Sequence, residues 1–235
     1  MTPSLLADVM EATWPAVRVW RVGPCLLRDG GGGGQRVSAA SVAGDFSATD
    51  LDAALAELPQ KLFVIYPGRS AAEAALDAAL EDRGFARHDP VVAYAAPVEE
   101  LAGDLPHLAA FAHWPPLEVV RQVWAEGGIG PARVQVMGRV GGPKVALMAR
   151  SGDRCSGAAF VACHGDEAMV HALEVRPGLR RQGAGGHLLR AAANWAAEQG
   201  ARRLSLVVTE RNEAARALYL RAGMAEVGQY HYRKA

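Results

Sequence analysis

The chain has 235 residues, of which 50% are hydrophobic and 21% charged, as is typical of a globular protein with one large or two small domains. Lys plus Arg and Asp plus Glu number 25 each, so the formal net charge is zero and we expect no nucleic-acid partner. Three scattered cysteines exclude a disulfide framework, and the N-terminus has neither a signal-peptide pattern nor a membrane-spanning stretch, which together favour a cytoplasmic protein without a membrane partner.

Hydrophobic periodicity predicts alternating helices and strands in the first 105 residues. The expected elements are a helix and then a strand at 5–22, a helix at 50–58, a strand at 62–66, a helix at 70–83 and a strand at 91–95. The five glycines at 30–34 are not followed by Gly-Lys-Ser/Thr, so they predict a hairpin loop instead of a phosphate-binding loop. Gly103 and Pro106 break the pattern, and we place a domain boundary after residue 105.

The remaining residues predict an α/β order with a mixed sheet. The expected elements are a helix at 114–126, strands at 134–137, 145–150, 157–163 and 168–175, a helix at 183–199, a strand at 204–208, a helix at 213–222 and a strand at 226–232. The units 62–95 and 204–232 are both strand, helix, glycine stop and strand. A duplication and a coincidence of two common units both remain open.

The most informative stretch, residues 173–189, joins an apolar strand to an amphipathic helix through a basic, glycine-rich turn. Glycines let a ligand approach the backbone, and the first N–H groups of a helix lie unsatisfied at its positive end. Arg180 and Arg181 add charge-assisted hydrogen bonds, so a pyrophosphate is the natural ligand. The alternative is a turn that only packs the helix on the strand. Dinucleotide and nucleoside triphosphate fingerprints both fit poorly, because the first lacks its third glycine and the second its Lys-Ser/Thr.

Two motifs resemble the GNAT superfamily of N-acetyltransferases. Arg-x-x-Gly-x-Gly at 180–185, after a strand, resembles its acetyl-CoA signature, and Asn-x-x-Ala-x-x-Leu-Tyr-x-x-x-Gly-Met at 212–224 resembles a second segment, with Met224 in place of the usual Phe. The resemblance covers about residues 145–233. It implies an α/β fold with a mixed, splayed β-sheet flanked by helices. We expect two such halves in tandem, a degenerate GNAT-like domain at 1–105 and an N-acetyltransferase domain at 106–235.

The resemblance also implies roles for individual residues. The pantetheine arm and pyrophosphate of acetyl-CoA would be bound by Leu173, Val175, Arg180, Arg181, Gln182, Gly183, Gly185, Gly186 and Asn212. Tyr219 would donate a proton to the departing thiolate as a general acid, the alternative being a buried tyrosine that only packs. An acceptor ammonium with a pKa of about 10.4 must lose a proton before it attacks. Glu174 is the first candidate base, unless it pairs with an arginine such as Arg202 or simply faces solvent, and His171 is a weaker candidate.

The function predicted from these residues is direct transfer of an acetyl group from acetyl-CoA, as cosubstrate, to a primary amine in a ternary complex. A non-catalytic acyl-CoA-binding or sensor protein with the same fold is the alternative, and a third reading is a turn that binds nothing. The acceptor is expected to be a small-molecule or peptide amine. No metal is expected, because no His or Cys pair has zinc-ligand spacing. A homodimer is one option for the assembly, and Trp114, Trp124 and Ile129 belong either to the acceptor pocket or to the core.

Overall fold

The computed structural model describes all 235 residues. The helices are α1 (Pro3–Thr13), α2 (Ala48–Glu57), α3 (Ala71–Asp82), α4 (Val98–Leu101), α5 (Glu118–Glu126), α6 (Pro131–Arg139), α7 (Ala184–Glu198) and α8 (Glu213–Arg221). The strands are β1 (Arg18–Val22), β2 (Cys25–Asp29), β3 (Ser41–Val42), β4 (Leu62–Ile65), β5 (Ala86–Pro97), β6 (Ala110–His113), β7 (Lys144–Ser151), β8 (Arg154–His164), β9 (Glu167–Val175), β10 (Arg203–Thr209) and β11 (Ala225–Lys234). None of the helices combines the length and apolar character needed to cross a membrane.

Eight of the strands form one mixed sheet, in the order β4-β11-β5-β10-β9-β8-β7-β6, and β1, β2 and β3 form a small antiparallel sheet. A parallel bridge between Ala40 and Phe63 joins the small sheet to the edge of the large one. The Ala40 N–H donates to the Leu62 carbonyl at 2.9 Å, and the Val64 N–H donates to the Ala40 carbonyl at 2.8 Å. The predicted α/β class with a mixed sheet flanked by helices is confirmed.

The order of elements repeats along the chain. Three antiparallel strands, a helix, a strand, a helix and a strand occur as β1-β2-β3-α2-β4-α3-β5 and again as β7-β8-β9-α7-β10-α8-β11. Exchanging the two sets maps the central strand order β4-β11-β5-β10 onto itself, because β11 and β5 are neighbours flanked by β4 and β10. The parallel bridge Ala40–Phe63 then corresponds to the parallel pairing of β9 with β10. The fold therefore consists of two similar halves in tandem.

The two halves share their central strands. The predicted boundary at residue 105 lies between α4 and β6, yet β5, which precedes it, pairs with both β10 and β11, which follow it. The link beyond α4 is also fixed to the C-terminal half, because the Asn194 side chain of α7 exchanges two hydrogen bonds of 2.9 Å with the Gly103 backbone. The boundary stays a prediction, and one continuous sheet runs across it.

The sheet carries separate cores on its two faces. Along β10, Leu206 and Val208 belong to the core beneath α7 and α8, whereas Val207 packs into the core beneath α1. Because successive strand residues point to opposite faces, these cores lie on opposite sides of the sheet. A third cluster packs α5 and α6 against β7 and β8.

One predicted strand, 134–137, is wrong because these residues belong to α6. Gly130 is the N-cap and Pro131 occupies the first turn, where its fixed φ and missing N–H favour a helix start. Val136 and Met137 of this helix are fully buried. A few alternating apolar residues do not distinguish a short strand from a short helix. The short strand β6 was not predicted.

Candidate active site

The parallel strands β9 and β10 separate partway along their length. Their pairing ends at Val170 and Leu206, whereas β9 continues to Val175 and β10 to Thr209. The gap between their C-terminal ends, which we call the splay cleft, has a volume of about 530 Å³. The splayed sheet predicted from the sequence is therefore present. The strands that separate are β9, which precedes the glycine-rich turn and α7 in the sequence, and β10, which follows them.

The splay cleft passes through the sheet. Leu206 and Tyr219 in its wall belong to the core beneath α7, whereas Tyr230 and Tyr232 belong to the core beneath α1. Because these cores lie on opposite faces, both faces of the sheet contribute to the wall of the cleft. Seven residues of the N-terminal half also line it: Trp14, Gly33, Gly34, Gln35, Arg36, Asp89 and Val91.

A β-bulge in β9 lies at the start of the cleft. The register against β8 shifts between Ala158 and Phe160, and Ala172 has a φ of +51°. The Ala172 carbonyl accepts a 2.8 Å hydrogen bond from Nε1 of Trp124, a fully buried residue of α5. Trp124 therefore belongs to the core and also holds the bulge in place.

Replacing Trp124 with Phe should lower the free energy of unfolding by about 1–3 kcal/mol, because the Ala172 carbonyl loses its donor in a partly buried setting. Urea unfolding measures this change. Trp114→Phe is the matched control, because Trp114 is 38% exposed and its indole N–H has no hydrogen-bond partner in the chain. A loss no larger than that of the control would mean that the bond to Ala172 does not stabilise the bulge.

The N-terminus of α7 is open to an external anion. Gly183 occupies the N-cap with a φ of +87° and provides no side-chain cap for the first N–H groups of the helix. Four other helices do have side-chain caps, namely Thr2, Ser47, Ser70 and Asn212. Arg181, with a left-handed φ of +65°, and Gln182 precede Gly183 and are exposed. The turn therefore presents uncapped backbone donors beside an exposed positive charge, as anion sites at helix N-termini do.

Gly185 and Gly186 differ in what surrounds them. A Cβ at Gly185 would lie 2.8 Å from Cδ2 of Leu218, so this glycine lets α7 and α8 approach closely. A Cβ at Gly186 would meet nothing within 4 Å. No contact within the chain therefore accounts for a glycine at 186, whereas the close approach of an external ligand would.

The side chain of Arg180 contacts the end of the preceding strand, β9. Its Nε donates to the Val175 carbonyl at 3.0 Å, and its Nη2 pairs with the Glu174 carboxylate at 3.2 Å. Glu174 also packs against Gly127, where an added Cβ would lie 2.5 Å from Glu174 Cγ. The ion pair that the sequence offered as an alternative for Glu174 therefore exists, with Arg180 as the partner instead of Arg202.

Tyr219 reaches the splay cleft from α8 and is 6% exposed. Burial, with smaller contributions from Glu174 and Tyr94, raises the pKa of Tyr219 to about 12, so the hydroxyl keeps its proton at neutral pH. The hydroxyl has no hydrogen-bond partner within the chain. A protonated phenol that is free to bond with a ligand is suited to donate a proton.

Three further residues from the sequence analysis line the splay cleft: Leu173, Asn212 and Ile129. The Oδ1 of Asn212 accepts from the Ala215 N–H at 3.2 Å and caps α8. The Nδ2 group of Asn212 has no partner within the chain. The cleft therefore brings together β9, the loop before α6 and the first turn of α8.

Sequence reasoning missed Arg36, which contacts His171 on the α1 side of the cleft. Arg36 Nη1 donates to His171 Nδ1 at 3.1 Å. Because a guanidinium only donates, the ring proton sits on Nε2, which donates to Thr13 Oγ1 at 2.9 Å. Burial and the neighbouring Arg36 lower the pKa of His171 well below its usual value, so the ring is neutral. Both ring nitrogens of this weaker candidate base are therefore engaged.

Comparisons with known proteins agree with this geometry. A sequence profile of the acetyltransferase (GNAT) family matches residues 131–224, and no curated protein matches the sequence. A GCN5-related N-acetyltransferase from Kribbella flavida superposes with a TM-score of 0.70 at 16% identity, over 99% of this chain and 95% of that one. A functionally unknown conserved protein from Staphylococcus epidermidis superposes with a TM-score of 0.68 at 11% identity, over 97% and 98% of the two chains. A tandem GNAT protein from the clavulanic acid biosynthesis pathway gives 0.55 at 14% identity, over 90% and 77%.

At these identities the structural matches establish a shared fold, and they extend over both halves of the chain. The family profile spans α6 to the end of α8 and so includes β9, the glycine-rich turn, α7, β10 and Tyr219. The chain therefore contains, at residues 131–224, a domain of the acetyltransferase (GNAT) family.

Proposed function

We propose that the chain is an acetyl-CoA-dependent N-acetyltransferase that transfers the acetyl group directly to a primary amine in a ternary complex. The observation that carries the proposal is the splay cleft, which contains a protonated Tyr219 and adjoins the uncapped, glycine-rich end of α7. Residues 106–235 would form the acetyltransferase domain, and residues 1–105 a degenerate GNAT-like domain that completes the wall of the cleft.

The residues on the α7 side fit a CoA thioester. Its pyrophosphate would lie on the turn and the first turn of α7, bound by backbone N–H groups of Gln182, Gly183, Gly185 and Gly186 and by the side chains of Arg180 and Arg181. Its pantetheine arm would lie between β9 and β10, against the unpaired backbone edge at Leu173 and Val175 and near Asn212. An extended chain with amide groups in this gap would supply hydrogen-bond partners for the backbone N–H and C=O groups on the free strand edges.

The chemistry then follows from charge development in the transition state. Acetyl-CoA supplies the acetyl group as a thioester, and attack by the amine places negative charge on the carbonyl oxygen and then on sulfur. Backbone N–H groups on the free edge of β9 would stabilise the oxygen, and the Tyr219 hydroxyl would donate its proton to the sulfur. Glu174 would accept the proton that the amine loses.

The contacts of Arg180 would couple the binding of acetyl-CoA to the availability of Glu174 as the base. Arg180 contacts both the Val175 carbonyl and Glu174, while the proposed binding mode directs Val175 to the pantetheine arm and Arg180 to the pyrophosphate. Binding of acetyl-CoA would therefore draw Arg180 away from β9 and release the Glu174 carboxylate. The base would become available only after the acetyl donor is in place.

Calorimetric titration with acetyl-CoA tests the proposal. We expect micromolar binding by the unmodified chain and a loss of about 30-fold or more in Gly186→Asp, because the added carboxylate would repel the pyrophosphate. An acidic residue in the first turn is compatible with the helix dipole, so α7 should remain folded. Gly178→Asp is the matched control, because Gly178 is exposed on the preceding turn and its Cβ would also meet nothing.

No binding by the unmodified chain would remove the acetyltransferase proposal. Equal losses in the two variants would remove the proposed pyrophosphate site. Binding without thiol release in the presence of an amine panel would favour the alternative function, a non-catalytic acyl-CoA-binding or sensor protein.

A further inference from the structure

Arg36 is a half-buried arginine without a counter-ion. It follows the glycine run and lines both the splay cleft and a second cavity of about 340 Å³ in the N-terminal half. Its guanidinium lies 6.0 Å from the centre of the Trp14 ring and bonds to the neutral His171 through Nη1. No carboxylate lies within 4.0 Å of it, in contrast to the arginines at eleven ion pairs of the chain.

Most N–H groups of the Arg36 guanidinium do not donate a hydrogen bond within the chain. Nε is enclosed and has no partner, and besides His171 the guanidinium has only the Tyr230 hydroxyl as a side-chain neighbour for hydrogen bonding. The tyrosines around it cannot neutralise the guanidinium, because burial raises the pKa of Tyr66 and Tyr232. A partly desolvated charge without a counter-ion is costly, and a bound group of opposite charge offsets part of that cost.

The splay cleft as a whole carries excess positive charge. Its lining contains three arginines, Arg36, Arg133 and Arg211, and one carboxylate, Asp89, which already pairs with Arg211 at 3.3 Å. Arg36 and Arg133 are therefore left without an acidic partner, and because Arg133 is exposed to solvent, Arg36 is the partly desolvated one. This excess of positive charge favours an anionic ligand in the cleft.

The N-terminal cavity does not share this excess. Of its other arginines, Arg28 pairs with Glu11 at 2.9 Å and Arg69 pairs with Glu73 at 2.5 Å. Asp8 also lines this cavity. An anion that pairs with Arg36 is therefore favoured on the side of the splay cleft.

The position of Arg36 excludes the CoA phosphates as its partner. The uncapped end of α7 lies on the face of the sheet that α7 covers, whereas His171, Trp14 and the tyrosines around Arg36 pack on the α1 side. A donor that enters from the α7 side brings a neutral pantetheine arm into the cleft. The anion must then belong to the molecule that enters from the other side, which is the acceptor.

We propose that the acceptor is a small amine that also carries a carboxylate, and that Arg36 binds this carboxylate while the amine faces the thioester. The inference rests on the proposed acetyl transfer and narrows its substrate class. The planar fork of arginine matches the two oxygens of a carboxylate. Trp14 and His171, stacked at 4.9 Å, hold the guanidinium in position.

The test compares two acceptor pools with the unmodified chain, measuring thiol release from acetyl-CoA. One pool holds the twenty protein amino acids with short ω-amino acids, and the other holds the same compounds as carboxamides. We expect kcat/KM for the carboxylates to exceed that for the amides by about 100-fold, the usual scale for a charged hydrogen-bonded pair. This comparison requires no variant, so it stands even if a change at Arg36 disturbs folding.

Variants at Arg36 then test whether this residue causes the preference for carboxylate acceptors. In Arg36→Gln, kcat/KM for the best acceptor should fall by about 100-fold, and in Arg36→Lys, which keeps the charge without the fork, by about 10-fold. The KM for acetyl-CoA should stay within about 2-fold in both. Arg133→Gln is the matched control, because it removes the same charge from an exposed position of the same cleft, and it should change kcat/KM by only a few-fold.

Equal rates with acids and amides, or equal losses in the Arg36 and Arg133 variants, would overturn the inference while acetyl transfer stands. A chain that binds acetyl-CoA but acetylates neither pool would overturn it as well. A chain that does not bind acetyl-CoA in the calorimeter would instead remove the proposed function itself.

Discussion

Replacing Tyr219 with Phe should lower kcat for acetyl transfer by about 100-fold, the lower end of the range for loss of a general acid. The substitution keeps the ring in the core and removes only the hydroxyl of a residue that lines the splay cleft. Affinity for acetyl-CoA should be nearly unchanged. Steady-state kinetics with a saturating amine, together with calorimetry, measure the two quantities separately.

Tyr94→Phe is the matched control for this variant. The ring of Tyr94 lies 5.7 Å from that of Tyr219 in the same core, but its hydroxyl bonds to Glu226 at 2.7 Å and to Arg216 at 3.1 Å. Loss of that hydroxyl should lower stability and leave kcat within about 2-fold. Unchanged turnover in Tyr219→Phe would remove this residue from the mechanism.

The pH dependence of kcat follows from the same group. Because the pKa of Tyr219 is raised to about 12, the acid form persists as pH rises, and the proton needed by the thiolate is lost only near that value. We therefore expect no descending limb in the kcat profile below about pH 11 from this residue. A fall centred between pH 8 and 9 would assign the acid to another group.

Removing residues 1–105 should abolish folding of residues 106–235. The fragment would lose β5, which pairs with β10 over residues 91–97 and with β11 over residues 86–95. The edges of two buried strands would be exposed, and a sheet cannot leave buried backbone groups unpaired without a cost comparable to the whole stability of a domain. We expect an insoluble fragment, or one without cooperative thermal unfolding by circular dichroism.

The control keeps all residues of both halves and cleaves one peptide bond between them. A protease site inserted at the exposed His107 would separate the two segments covalently while leaving the shared sheet in place. The cleaved chain should remain a single particle in gel filtration and should still bind acetyl-CoA. A fragment 106–235 that folds cooperatively and binds acetyl-CoA alone would show instead that the halves are independent.

The strand and helix pattern could largely be predicted from the sequence, because most elements are long and have clear stops. The glycine-rich turn was also visible, since its basic and glycine residues are contiguous between a strand and a helix. The exception was α6, where Val134 and Val136 alternate over too short a stretch to exclude a strand.

The N-terminal contribution to the cleft could not be predicted. Arg36 lies 135 residues from His171 in the sequence, and nothing in a local pattern indicates that they touch. The glycines before it were interpreted as a hairpin loop, and residues 30–40 do connect the antiparallel strands β2 and β3. Their composition has a further reason, because a Cβ at Gly33 would lie 2.5 Å from Cγ2 of Val136 in α6. This close approach brings the loop to the cleft.

The central claim is that the gap between β9 and β10 holds the thioester of acetyl-CoA beside Tyr219. A crystal structure of the unmodified chain with acetyl-CoA tests it most directly. We predict the pantetheine arm between Leu173 and Val208, the pyrophosphate on the first turn of α7, and the sulfur within hydrogen-bonding distance of the Tyr219 hydroxyl. An arm that lies elsewhere, for example in the N-terminal cavity beside Arg28, with the splay cleft empty, would contradict the account.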